Sequence, residues 1–180
     1  AHGSTDLSDN NSVGQATGID GNAADFENSN SEYLNNSNAT DWEVGESDHT
    51  VAMWVNVESF VRTIGDYALN AYTPSLFSAI SIAHEQNEGF KYTLTDSNDN
   101  DTTVTAGSLS TSKWFFVIGR YDASSDNMTL DIRDASPGSY SSATNSHSNG
   151  MASFSGDNLQ VGALDTGPTA EMDGKLDSVG

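Results

Sequence analysis

Apolar and polar residues alternate in short runs along most of the chain, and Gly, Asn, Asp and Ser stand between the runs. A period of two sends successive side chains to opposite faces of a strand. The clearest run is HTVAMWVNVE (49–58). Val51, Met53, Val55 and Val57 point one way, and Ala52, Trp54 and Asn56 point the other. Both faces are apolar at the centre, which predicts a central strand covered on both sides. FSAISIAH (77–84) and GFKYTLTD (89–96) predict a hairpin about residues 85–88. KWFFVIGRYD (113–122) and MTLDIRD (128–134) predict a second hairpin, with 123–127 as its loop. NAADFE (22–27) and SEYLN (31–35) flank the short turn Asn28-Ser29-Asn30, and TTVTAG (102–107) and NLQVGAL (158–164) add further strands. The closing EMDGKLDSVG (171–180) alternates in the same way through Met172, Leu176 and Val179. Residues 135–150 are Ser-rich and without period, and predict a long loop or a weak edge strand. Helix signals and internal repeats are missing. The fold class is all-β: a two-sheet antiparallel β-sandwich of jelly-roll type.

Length and charge narrow the picture. The chain has 180 residues, enough for one domain and short for two, so 1–180 is read as a single domain. A domain of this size buries about 70% of its unfolded surface. Its hydrophobic fraction of 35% and net charge of −20 would suit a disordered chain, but the strand patterning argues for a folded one. With 26 acidic residues against 6 Lys and Arg, a phosphate backbone is repelled, which excludes nucleic-acid partners. Anionic membranes are disfavoured for the same reason, and no apolar stretch is long enough for membrane insertion by a helix. Such a surface suits saline surroundings, where screening removes the self-repulsion. The absence of Cys excludes disulfides, thiolate metal sites and Cys nucleophiles.

Four blocks in order carry a resemblance to a known family. GIDGNAADFENSNSEYL is similar to a Gly-Asn, small-apolar, Phe, Tyr-Leu pattern, and HTVAMWVNVE to a Thr-Val-x-x-Trp-Val strand. SKWFFVIGRYDASSDNMTLDIRD is similar to a Trp-led strand with a Tyr-Asp hairpin, and NLQVGAL with MDGKLDSVG to a closing pair. Together they resemble the laminin-G-like branch of the concanavalin A-type lectin/glucanase jelly rolls, which includes the pentraxins. Three departures stand out. The family's extra N-terminal strand before residues 6–11 is missing, the aromatic-rich stretch that usually follows the last motif is missing too, and Met172 replaces an aromatic residue. The resemblance therefore implies a domain truncated at both ends and belonging to a longer polypeptide.

The resemblance sets the search for chemistry. The related glucanases place alternating carboxylates in one strand, and retaining hydrolysis needs two carboxyls about 5–5.5 Å apart. No strand here carries acids at i, i+2 and i+4, so the chain is expected not to be an enzyme. His2 and His147 are expected in solvent.

For metals, many jelly rolls of this class hold a structural Ca2+. The resemblance places its ligands at the Asp177 carboxylate and the Gly21 backbone carbonyl; the alternative is that Asp177 accepts a backbone hydrogen bond. DSNDND spaces Asp96, Asn98 and Asn100 like the start of an EF-hand loop, but Asp101 and Gly107 stand where Gly and Glu are required, so a hairpin tip is the better reading. Asp6, Asp9 and Asn10 read as a plain turn.

For sugars, Trp54 and Trp114 are expected in the core and Trp42 as an anchor at its end. Tyr72 and Tyr140, in loop-like contexts, are left as ligand-binding candidates with Asp96 and Asp99. The function expected is a non-catalytic, surface-exposed recognition or adhesion module that binds carbohydrate with possible help from calcium. Its partners would be a glycan or surface protein, or neighbouring copies and domains of the same assembly. The alternative is a structural decoration or assembly domain of a virion, tail fibre or extracellular appendage. Either role places it outside the cell, on a cell surface or on a virion surface.

Overall fold

The computed structural model describes residues 7–37, 39, 47–60, 65–73, 76–136, 139–147, 158–164 and 170–180. His2, Asp6 and Trp42 lie outside these. Two antiparallel seven-stranded sheets face each other. The first runs β1 (Ser8–Asn10), β4 (Tyr33–Asn36), β13 (Asn158–Val161), β6 (Asp66–Thr73), β7 (Leu76–Glu85), β8 (Gly89–Thr95), β9 (Asp101–Ala106). The second runs β12 (Tyr140–Ser146), β11 (Asn127–Asp134), β10 (Trp114–Asp122), β5 (His49–Val57), β14 (Gly174–Asp177), β3 (Asn22–Phe26), β2 (Gly14–Thr17). The one helical turn among the described residues is a 3-10 turn at Asn28–Asn30. It carries the chain from the second sheet to the first.

The core lies between the sheets. Phe26, Met53, Val55, Met128, Leu130 and Leu176 come from the second sheet and meet Leu69, Ile80, Ile82, Phe90, Tyr92 and Leu94 from the first. Fully burying such a side chain stabilises by roughly 1.5–3 kcal/mol.

Both expected hairpins form. β7 pairs with β8 from Ile80↔Leu94 to Glu85↔Gly89, and β10 with β11 from Phe115↔Asp134 to Asp122↔Asn127. β5 is the fourth strand of seven, as its apolar content requires.

Three expectations are corrected. First, β5 is covered on one face only. Val51, Met53, Val55 and Val57 are buried, whereas Trp54 is only half-buried on the outside of the second sheet. Trp114 is likewise half-buried and pairs with Asn56 across β5. Second, β6 occupies a stretch with no strand signal, and it places Tyr72 in a strand with 8% exposure rather than in a loop. Third, His147 is not in solvent: it follows the edge strand β12, one of the two readings of the Ser-rich region, and is buried against Tyr121, with ring centroids 5.9 Å apart.

The β12 and β9 edges lie together. Asn145 Nδ2 donates to the Thr103 carbonyl at 3.1 Å, and the Gly107 N–H donates to Ser141 Oγ at 3.1 Å.

Candidate recognition face

The register of each sheet decides which side chains share its outer face. On the first sheet one row crosses all seven strands: Ser8, Asn35, Gln160, Asn70, Ser81, Thr93, Thr103. All seven are polar and uncharged. Its middle members Gln160, Asn70 and Ser81 are closed off from solvent, so this row packs rather than faces outward.

The outer face of the second sheet is more open. One row runs Trp54, Phe116, Arg133, Tyr140 across four strands. At about 4.8 Å per strand it is about 14 Å long. Trp54 and Phe116 stack at 4.9 Å with a 36° tilt. The Arg133 guanidinium lies 5.1 Å from the centre of the Tyr140 ring, and Tyr140 is 59% exposed. Cation–π contact of this kind fixes a ring without covering its other side. The next row is Ala52, Ile118, Asp131, Ser142, and the one beyond is Thr50, Arg120, Thr129, Thr144. The last row floors an open hollow of about 670 Å3, walled by Asp48, His49, Tyr121 and Asp122.

Asp131 ties the rows together. Tyr140 Oη donates to Asp131 Oδ1 at 2.7 Å, and Arg120 Nη2 pairs with Asp131 Oδ2. Burial pushes the Asp131 carboxyl up, but hydrogen bonds from Ser142 and Tyr140 and the Arg120 charge outweigh it and hold the group below its usual range. A depressed carboxyl contributes above its unfolded pKa and loses that contribution as pH falls through the folded one. Followed by carboxyl NMR, Asp131 should therefore titrate below the usual carboxylate range, and the Arg120–Asp131–Tyr140 clamp should weaken on acidification only as pH falls through that point.

His49 closes the hollow toward the core. Its Nε2 is 2.8 Å from Tyr92 Oη and its Nδ1 is 3.0 Å from the Ser47 carbonyl. Read as one tautomer, Nδ1–H donates to Ser47 and the Tyr92 hydroxyl donates to Nε2. Burial lowers the His49 pKa and favours this neutral form.

The other candidates take different places. Tyr72 is buried in β6 and offers no platform. Asp96, 1% exposed, turns inward on its own hairpin. Its Oδ1 accepts the N–H of Asn98 at 2.8 Å and of Asn100 at 2.9 Å. Asp99 sits exposed at the turn with φ +63°. Asp9 Oδ1 accepts the Val13 N–H at 2.9 Å.

Asp177 and Gly21 are brought to one corner, as the resemblance implies. Asp177 Oδ2 accepts the N–H of Ile19 at 2.7 Å and of Asp20 at 2.9 Å, and the Gly21 carbonyl accepts the Gly18 N–H at 3.0 Å. A calcium ion needs lone pairs at this point. As arranged, Asp177 Oδ2 takes two amide hydrogens and the Gly21 carbonyl one, which leaves an ion few lone pairs at this corner.

A carboxylate group no sequence pattern flagged lies at β3 and β5. Asp25, Glu27 and Glu58 bring oxygens within 4.8 Å of one another. Lys175 fills the space between, paired with Glu58 and 3.9 Å from Asp25 Oδ1. Burial raises the Asp25 pKa, against the lowering effect of Lys175. Among the described residues no helix is long and apolar enough to cross a membrane.

The two sheets, their hairpins and the closing strand define the laminin-G-like fold of the concanavalin A-type jelly rolls. No family model and no curated protein matches the sequence. Solved structures match in fold. The binding domain of Paraclostridial Mosquitocidal Protein 1 superposes with a TM-score of 0.71 at 12% identity, over 96% of this chain and 42% of that one. The LG1-3 region of the laminin alpha2 chain gives 0.64 at 16% identity, over 82% and 28%. Tailspike protein 2 of an Escherichia coli O157:H7 bacteriophage gives 0.62 at 10%, over 96% and 25%. The chain spans less than half the length of each.

Proposed function

We propose that the chain is a surface-exposed recognition module that binds a neutral carbohydrate across the outer face of its second sheet. The observation that supports this reading is the Trp54–Phe116–Arg133–Tyr140 row beside a polar hollow. Sugar rings stack on aromatic faces through their C–H sides while hydroxyls take directed hydrogen bonds, and the row and the hollow supply one of each. A net charge of −20 argues for an uncharged ligand. The neighbours in fold include a binding domain and laminin G domains, which agree with such a role. They also include a tailspike's enzymatically active domain, so the argument against catalysis rests on the site. Each carboxylate of this face is held as an acceptor: Asp131 by Arg120 and Tyr140, Asp48 by the Ala123 N–H, and Asp122 by the Ser124 N–H and hydroxyl.

The test is an array of neutral and charged saccharides, read in Ca2+ and in EDTA. Wild-type protein should bind neutral members. Tyr140→Ala should weaken that binding about tenfold or more, with a melting temperature close to wild type because the ring is exposed. Wild-type protein that binds nothing under either condition would refute the reading. The second reading, an assembly domain, draws on the half-exposed Trp54, Phe116 and Ile118, which a neighbouring copy could cover. Sedimentation at rising concentration separates the two: association that Trp54→Arg abolishes would favour assembly.

A further inference from the structure

We infer that the Ile19 and Asp20 amide hydrogens stand in for a cation as partners of the Asp177 carboxylate at the β2–β3 corner, closing the turn so that the sandwich holds this corner without calcium. The inference goes beyond the recognition face and stands whether or not that face binds sugar. Three observations carry it.

First, two consecutive amides, those of Ile19 and Asp20, converge on the same oxygen, Asp177 Oδ2. Successive N–H groups turned to one point form a concavity that accepts an anion and repels a cation. Second, two further polar groups at the corner are engaged in the same sense. Ser178 Oγ lies 3.0 Å from Asp177 Oδ1, and the Gly21 carbonyl is taken by Gly18 N–H. A calcium ion takes six to eight oxygens at 2.3–2.6 Å. The Asp177 carboxylate and the Gly21 carbonyl fall short of that number, and both already accept hydrogen bonds. Third, the backbone at Gly18 packs directly against the carboxylate. A Cβ at Gly18 would lie 2.5 Å from Asp177 Oδ2. The hydrogen bond from Asp20, with those from Ser178 and Ile19 against the opposing effect of burial, also holds the Asp177 carboxyl below its usual range, as an anion in an amide nest should be. The contacts span about 160 residues of chain, so one side chain of the closing strand fixes an edge turn near the start.

The experiment uses the whole chain stripped with EDTA, then titrated with CaCl2 and with Tb3+. Trp54 faces Asp177 in the register and would sensitise terbium bound there. The expected result is an unchanged melting temperature in millimolar Ca2+ and no saturable luminescence from that corner. In wild-type protein the Ile19 and Asp20 amides should be protected from exchange equally with and without Ca2+. Gly18→Ala, which keeps the carboxylate but pushes it out, should lower the melting temperature by on the order of 5 °C and release both amides. A calcium-induced rise in melting temperature that Asp177→Asn abolishes would overturn the inference. A rise that Asp177→Asn leaves in place belongs to another site and supports it. Should Asp177→Asn fail to fold, the wild-type amides decide alone: protection that appears only with calcium overturns it.

Discussion

Gly174→Ala should cost about 4 kcal/mol or more and leave little folded protein at 37 °C, a loss at the exceptional end for a single substitution. Gly174 opens β14 with φ +153°, and a Cβ there would lie 2.2 Å from the Asn56 carbonyl oxygen and 3.1 Å from the Val57 Cα. Both are backbone atoms of the central strand β5, which cannot step aside without breaking its pairing with β10. β14 is held between β5 and β3, so its displacement opens the sheet on both sides. Urea unfolding with circular dichroism measures the cost. A ΔΔG under 1 kcal/mol would mean that β14 can slide out without penalty.

Gly162→Ala should destabilise by about 3 kcal/mol or more, and part of that loss should vanish in the background Phe26→Ala. Gly162 has φ +87°, and an added Cβ would meet the Phe26 ring at 2.6 Å. Phe26 is fully buried, and truncating it alone should cost about 3–5 kcal/mol. The methyl group added at 162 occupies space that the ring vacates, so the double variant should be more stable than the sum of the two single losses predicts. Some loss remains, because φ +87° strains any residue with a Cβ. Strict additivity in the double-mutant cycle would show that backbone strain alone, and not the Phe26 contact, makes glycine necessary.

The strands most legible in the sequence are those with one buried face and a turn at each end. β8 and β10 alternate because one side meets the core and the other meets water or half-exposed neighbours, whereas β7, buried on both faces over 79–84, is marked by its apolar run and the turn that follows it. β6 was illegible for the opposite reason. Ala68, Leu69, Asn70, Ala71 and Tyr72 are all buried, so DYALNAYT shows no period of two, and Asn70 in its middle reads as a turn. For β12 the composition leaves a loop and a weak edge strand both open, since Ser, Thr and Asn signal loops more often than edges, and the structure has the edge strand.

Of the proposed face, the sequence offered Tyr140 alone, from a loop-like context; the residue in fact opens the edge strand β12 and is exposed. Trp54 was assigned to the core because a strand with apolar residues on both faces reads as covered on both. The alternation that placed Trp54 opposite Val55 was already the signal that it faces away from the inner side. Asp131, Arg133 and Phe116 could not be gathered into one site from the sequence, because their neighbours are set by cross-strand register. The Asp25–Glu27–Glu58–Lys175 group was out of reach for the same reason. It joins three strands that are far apart along the chain.

A sheet edge left open is a template on which another strand can add. β12 has the composition of such a template: seven uncharged residues, no proline and no lysine. The side chains of Asn145 and Ser141 turn it toward β9 instead, and each takes up a backbone group there. The two sheets thus seal each other along this side. Copies crowded together on a surface would meet through their faces and would resist fusing into a continuous ribbon, and so could be displayed at high density while each remains a separate unit.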